Sequence, residues 1–329
     1  MLKTLLFGLI ASLAILIFSL YQHYQASLGQ ASTAQTVVVE IPDGASLAKI
    51  SVLLDQALDT FNPVWFQLYA RQTDQARQLK SGEYLIPAHA TPKDILALLV
   101  SGAVRQHKLT IPEGWTFAQF YQAVRRHPAI HLSLPENPEQ AELFGLAHPE
   151  GWFFPDTYFF RKGTYDLDLL ALAHQRMQTV LAEEWQRRGD NLAIDSPYQA
   201  LILASIIEKE TGLAAERDQI AGVFMRRLQR GMRLQTDPTV IYGLGRQFNG
   251  NLTREHLRQA TPYNTYTIDG LPPTPIALPG RAALHAALHP APGDSLYFVA
   301  SGQGGHIFSR TLKEHNLAVQ RYQRTLQQP

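Results

Sequence analysis

The chain opens on an uninterrupted apolar pattern: from Leu5 to Leu20 every residue is apolar, Gly or Ser, with no charge. With Thr4 and Tyr21 the run approaches the roughly 20 residues an apolar helix needs to cross a bilayer. A cleaved signal peptide is the alternative, but its apolar stretch is usually about 7–15 residues and ends in a small-x-small site. The longer run here and the flanking Tyr21 and Tyr24 favour an uncleaved anchor over residues 1–24. Lys3 precedes the run and no Lys or Arg follows until Lys49. That bias places the N-terminus in the cytoplasm and the rest of the chain outside. Residues 25–35 are mostly Ala, Ser, Gln and Thr, with one Leu and one Gly and no apolar periodicity, the pattern of a short flexible linker.

Beyond it, strand and helix signals alternate. Val37 to Ile41 is a β-branched run ended by Pro42-Asp43-Gly44, and Ser46 can cap a helix whose Leu47, Ile50, Leu53 and Leu54 share one face. The same grammar returns at Lys108 to Val124, where Ile111-Pro112-Glu113-Gly114-Trp115-Thr116-Phe117 echoes Ile41-Pro42-Asp43-Gly44-Ala45-Ser46-Leu47. A third version is Glu83 to Ile86, with Thr91-Pro92 as cap and first turn and Gly102 as stop. Pro128 to Pro149 predicts a loop-rich excursion before the aromatic segment Gly151 to Phe160. Helices are predicted over Leu167 to Arg188, Tyr198 to Glu210 (started by Asp195-Ser196-Pro197) and Glu216 to Arg230, and a buried-type strand over Ser295 to Ala300. The fold class is therefore α+β: the anchor and linker, a small α/β subdomain over 36–106, and a larger domain over 107–329.

Composition narrows the chemistry. With 29 basic and 28 acidic residues the net charge is +1, which gives no electrostatic case for nucleic acid. No cysteine is present, so disulfides, thiolate metal sites and cysteine nucleophiles are excluded. The histidines form no His-Glu-x-x-His pattern, and Gly302-Gln303-Gly304-Gly305 lacks the full dinucleotide fingerprint, so no metal and no cofactor are expected. No Gly-x-Ser-x-Gly elbow is present either.

The helix Tyr198 to Glu210 carries Leu201, Ile202, Leu203, Ile206 and Ile207 with almost no polar face, as a buried helix does. It ends in Glu208-Lys209-Glu210, where an apolar core meets a polar surface and partial burial raises a carboxylic acid's pKa toward the range of a general acid. From spacing alone, the solvated last turn of a core helix is the more economical reading. Residues two apart on a helix differ by about 200°, so Glu208 and Glu210 cannot be the flanking carboxylate pair of an ordinary glycosidase.

The blocks Leu203-Ala204-Ser205-Ile206-Ile207-Glu208-Lys209-Glu210-Thr211, Arg233-Leu234-Gln235-Thr236-Asp237-Pro238-Thr239-Val240 and Pro262-Tyr263-Asn264-Thr265-Tyr266 stand in order along the chain. With Gly270-Leu271-Pro272-Pro273, Gly304-Gly305-His306-Ile307-Phe308 and Glu150-Gly151-Trp152-Phe153-Phe154-Pro155-Asp156-Thr157-Tyr158, they resemble the endolytic murein transglycosylase, or YceG-like, family over most of Thr36 to Tyr322. The anchor followed by a small LysM-like unit resembles that family's arrangement too.

The resemblance implies cleavage of the MurNAc–GlcNAc bond of nascent peptidoglycan without water, leaving a 1,6-anhydro-MurNAc end and terminating strand elongation. It implies Glu208 as the catalytic residue, cell-wall synthases as partners, and a single-pass inner-membrane protein with a periplasmic catalytic domain. A non-catalytic peptidoglycan-binding scaffold and a hydrolytic glycosidase are the alternatives. Gln235, Thr236, Tyr263 and Asn264 are candidate substrate-binding groups, and equally ordinary turn residues, with Glu210 a further candidate for substrate binding. Glu210 either assists Glu208 or makes a surface salt bridge. Asp237 reads as a turn or helix cap, and His306 as structural. Trp152, Phe153, Phe154, Tyr158 and Phe159 offer either core packing or a face on which a sugar stacks.

Overall fold

The computed structural model describes residues 2–137, 143–302 and 304–322. Helix makes up 48% and strand 10%, so helix dominates the mixed class, and the described strands pair only as two-stranded sheets. Residues 138–142 of the expected proline-rich loop and Gln303 lie outside the described residues. The chain divides into two compact units. One comprises the chain up to His107 together with Phe159–Thr164; the other comprises Lys108–Tyr158 and the chain from Tyr165 onward.

The first unit begins with helix α1 (Leu2–Gly29), whose apolar residues from Leu5 to Tyr21 are exposed. Strand β1 (Val37–Ile41), helices α2 (Leu47–Ala57) and α3 (Pro63–Gln72), strand β2 (Gly82–Ile86) and helix α4 (Pro92–Ser101) follow. β1 and β2 pair antiparallel with Val39 opposite Tyr84, which with Ile41 and Ile86 face a core of Ile50, Leu54, Phe66, Ile95 and Leu96. The caps are local and sequence-encoded. Ser46 accepts the Lys49 amide, Thr91 forms a capping box with Asp94, and Gly102 takes the left-handed conformation at φ 72° that ends α4.

The linker expected at residues 25–35 is not a spacer. Helix α1 continues to Gly29, Tyr24 and Leu28 are 7% and 1% exposed, and the Tyr24 hydroxyl donates to Gln72 Oε1 at 2.6 Å. The Ser32 amide then donates to the Ala90 carbonyl, and the Thr33 carbonyl accepts from the His89 amide. A low-complexity segment becomes ordered here because the end of α1 packs on α3 and α4 and the backbone of Ser32 and Thr33 bonds the turn ahead of α4, all of which lie far along the sequence. Tyr24 is accordingly a packing residue and not an interfacial anchor.

In the second chain segment come β3 (Gln106–Thr110), α5 (Phe117–Arg126), β4 (Ile130–His131), β5 (Thr157–Arg161), β6 (Thr164–Tyr165) and α6 (Asp166–Gln186). Then follow α7 (Pro197–Glu210), α8 (Ala214–Gln229), α9 (Asp237–Leu244), α10 (Arg281–Leu288), β7 (Tyr297–Ala300), β8 (His306–Ser309) and α11 (Leu312–Tyr322). Helix α7 is the axis of the second unit, packed on by α6, α8, α9 and α10. Every residue from Ala200 to Ile207 is buried. Burying each of its Leu and Ile side chains contributes about 1.5–3 kcal/mol, so the helix's position is strongly determined. The strand expected over Ser295 to Ala300 is shorter and half-buried: its partner is β8 alone, and of its four residues only Val299 is buried.

Candidate active site

Ser196 caps α7 by accepting the Gln199 amide, and Pro197 occupies its first turn. The last turn carries Glu208 and Glu210, against the usual preference, because a helix C-terminus bears partial negative charge. Both carboxyl groups are therefore held where ionisation is costly.

Glu208 is half-buried, and its Oε2 accepts a hydrogen bond of 2.9 Å from the amide of Gly280. Its pKa lies above the ordinary carboxylate value chiefly because burial disfavours the charged form. The Gly280 amide opposes that rise, the negative charge of Glu113 adds to it, and Arg217 and Lys209 oppose it. Glu113 closes on the same glycine: a Cβ placed on Gly280 would lie 1.7 Å from Glu113 Oε1. Only a residue without a side chain allows this approach.

The segment Thr274 to Gly280 is buried and runs beside α7. The Ile276 amide donates to Ser205 Oγ at 3.0 Å, the Leu278 amide to the Trp115 carbonyl at 2.7 Å, and the Gly114 amide to the Leu278 carbonyl at 2.9 Å. Lys209 Nζ donates to the Gly114 carbonyl at 3.2 Å. Three remote stretches, the turn Glu113–Trp115, the end of α7 and the segment before α10, thus converge on Glu208.

Glu210 points elsewhere. Its Oε1 accepts from the Thr236 hydroxyl, and burial pushes its pKa up to about 6, with Thr236 opposing and Asp237 reinforcing the rise. It lines a cavity of about 400 Å³ together with Gln235, Thr236, Tyr266, Tyr297 and His306. Glu210 thus makes neither the expected surface salt bridge nor a contact with Glu208. Asp237 starts α9 and accepts from the Tyr266 hydroxyl at 2.6 Å, while His306 donates its amide to Glu216 and pairs with it through Nδ1 at 2.8 Å.

The tentative substrate-binding set is therefore split. Gln235 has φ 51° and accepts from Arg227 at 3.4 Å through Oε1, and its exposed side chain shares the Glu210 cavity. Thr236 is buried there. Asn264 does not contact the cavity: it is fully buried, its Nδ2 donates to the carbonyls of His256, Leu257 and Gln259, and its Oδ1 accepts the Tyr266 amide. Its polarity is consumed in folding the loop. Tyr263 bonds Thr274 through its hydroxyl at 2.9 Å and packs edge-on against Tyr242. Among the aromatic residues, Phe153, Phe154 and Tyr158 are buried, Trp152 stacks on Tyr198, and Phe159 is 64% exposed.

Two titratable groups, Glu150 and Glu113, stand out only in the structure. Glu150 is 7% exposed; its Oε1 accepts the Phe117 amide at 2.9 Å and its Oε2 the Tyr242 hydroxyl at 3.1 Å. Burial pushes its pKa up to about 7 against those two hydrogen bonds. Its place in the Glu150-Gly151-Trp152 block was the available signal. Glu113, inside a Pro-Glu-Gly turn, gave none.

The sequence profile of the YceG-like family matches residues 39–321. A Bacillus subtilis protein named endolytic murein transglycosylase is 32% identical over 308 residues, covering 87% of this chain and 85% of that protein. A protein of the same name from Streptococcus pneumoniae serotype 2 is 27% identical over 352 aligned positions, covering 93% of this chain but 62% of its own length, so this chain spans less than two thirds of that relative. Among solved structures, a YceG-like protein of Listeria monocytogenes superposes with a TM-score of 0.56 at 32% identity, over 86% of this chain and 98% of that one.

Proposed function

This chain belongs to the YceG-like family, and from that premise we propose that it is an endolytic lytic transglycosylase acting on the MurNAc–GlcNAc bond of nascent peptidoglycan. The observation that carries the chemistry is the Glu208 carboxyl group, half-buried at the end of a buried helix and fixed by the Gly280 amide. Burial favours its protonated form, so it can donate a proton to the glycosidic oxygen as the C1–O bond breaks. The resulting carboxylate is stabilised by the Gly280 N–H and takes the proton of the sugar's C6 hydroxyl as that oxygen bonds to C1. No water is consumed, and the product is a 1,6-anhydro ring that ends the strand. One carboxyl group serves both steps, which agrees with Glu210 lining a cavity whose walls do not include Glu208.

Glu210, Gln235 and Thr236 line a polar cavity suited to neutral hydroxyl groups of a sugar, and we assign them to glycan positioning. The strand–helix–helix–strand order of β1, α2, α3 and β2 supports reading the first unit as a LysM-like glycan-binding module. Helix α1, with mean hydropathy 2.3 over its apolar window, serves as a single-pass inner-membrane anchor with the N-terminus cytoplasmic. It keeps the enzyme at the membrane surface, where cell-wall synthases extrude new strands.

A second reading, hydrolysis with Glu113 as the water-activating base, is favoured by the closeness of Glu113 to Gly280 and Glu208. Mass spectrometry of the fragments from purified peptidoglycan separates the two, because hydrolysis adds a water to each cut. Products lacking that mass support the transglycosylase, and hydrated products overturn it. A scaffold would release no fragments.

A further inference from the structure

Helix α1 does not loosen where its exposed apolar surface ends. Leu20 and Tyr21 are 47% and 56% exposed, whereas Tyr24 and Leu28, one and two turns further on, are buried against the folded unit. Two helical turns are about 11 Å, so the first packed residues lie within that distance of the apolar shaft. The Tyr24 ring meets Trp65 edge-on at 5.5 Å, and its hydroxyl bonds Gln72. A rigid joint thus brings α3 up beside the exposed part of α1.

Between α1 and α3 lies an open groove of about 570 Å³, lined by Leu20, Tyr21, Trp65, Leu68 and Tyr69, with Lys93 from the start of α4 also on its wall. Val64 and Leu68, on the same helix as Trp65 and Tyr69, are 66% and 37% exposed. Aliphatic side chains, Trp and Tyr rings with polar tips, and a single cation are what the boundary between acyl chains and phosphates selects. The groove is also continuous with the shaft of α1, so an occupant from the bilayer needs no exit from it.

We infer that this groove seats a phospholipid of the bilayer that α1 crosses, its acyl chain along Leu20 and Leu68 and its phosphate at Lys93, so that α3 lies in the membrane interface. The inference rests on reading α1 as an anchor. It makes the attachment of the first unit an oriented one: the joint holds the unit down on the lipid surface, and α3 forms part of the contact.

The absence of cysteine allows single-site labelling of the full chain. Val64→Cys, and Asp55→Cys as a reference on exposed α2 surface, are labelled with bimane and reconstituted in vesicles of equal parts phosphatidylcholine and phosphatidylglycerol, with or without lipid carrying a nitroxide near the glycerol backbone. Quenching at Val64→Cys should exceed that at Asp55→Cys by about threefold, as expected for a site at interfacial depth, and Lys93→Glu should reduce it. Equal quenching at the two sites, in protein that still floats with the vesicles and resists alkaline extraction, overturns the inference and leaves the anchor standing. Protein that does not float removes the anchor and the inference together. Energy transfer between labelled Val64→Cys chains that persists on dilution with lipid would give the groove to a second copy and likewise overturn it.

Discussion

Glu208 accepts a 2.9 Å hydrogen bond from the backbone amide of Gly280, and the side chain of Glu113 rests against that same glycine from another part of the chain. The amide favours the carboxylate, while burial and the second negative charge favour the acid. A group with the proposed role of first giving and then accepting a proton gains from both influences.

Glu208→Gln keeps an acceptor for the Gly280 amide and removes the proton. Release of anhydro-ended fragments should fall about 10²–10⁴-fold, with thermal unfolding little changed. Digestion at the wild-type rate would end the assignment of Glu208.

Because the charge of Glu113 adds to the raised pKa of Glu208, Glu113→Gln lowers that pKa. The acid then loses its proton at lower pH, so the alkaline limb of the kcat/KM profile moves to lower pH. A limb that stays in place, or moves upward, would show that Glu113 does not act on Glu208.

Gly280 has φ −78°, so alanine is conformationally acceptable there, and the nearest obstacle is the Glu113 side chain. Gly280→Ala should displace the Glu113 carboxylate and destabilise the chain by about 1–3 kcal/mol. Glu113→Ala in the same chain should recover most of that loss, as read in a double-mutant cycle by denaturant unfolding. Additive losses would contradict the contact.

Glu150 bears on stability. Its folded pKa of about 7 exceeds the ordinary 4.5, so between these values the folded chain holds a proton that the unfolded chain has released. Stability therefore falls as pH rises through that window, by up to about 3 kcal/mol at 1.36 kcal/mol per unit. Glu150→Gln can still meet the Phe117 amide and should flatten this slope in Tm measured from pH 4.5 to 7. An unchanged slope would assign the dependence to other groups.

Asn264→Ala removes the side-chain donor of the Leu257 and Gln259 carbonyls and the acceptor of the Tyr266 amide in a buried loop, and should cost about 2–4 kcal/mol. Tyr263→Phe, which removes one hydroxyl contact, should cost about 1 kcal/mol. Calorimetry that ranks the two in the opposite order would refute the loop-folding role of Asn264.

What could be read in the sequence was local. Ser46, Thr91 and Ser196 cap the helices they precede because a cap acts within three residues, and the all-round apolarity of Leu201 to Ile207 required burial. The divergence of Glu208 and Glu210 followed from helix pitch. The setting of Glu208 could not be read, since Gly280 lies 72 residues away and the turn that holds Lys209 lies 95 residues away. Asn264 carried the composition of a turn, and nothing local distinguishes an amide that folds a loop from one that meets a ligand. Residues 25–35 had no periodicity because their partners come singly, from α3 and α4 for the end of α1 and from the turn His89–Ala90 ahead of α4 for Ser32 and Thr33.

The stretch Phe159–Thr164 belongs to the first unit although it follows Lys108–Tyr158 of the second. Phe160 is 6% exposed beside His107, and Lys162 pairs with Glu40. A protein ended after His107 would leave Glu40 without its cation and His107 without its aromatic neighbour. One begun at Lys108 would carry both in a segment with nothing to receive them. The two halves are therefore interleaved in the gene as well as in the fold, and a chimera that exchanges the N-terminal module between relatives must transplant two separate stretches of DNA.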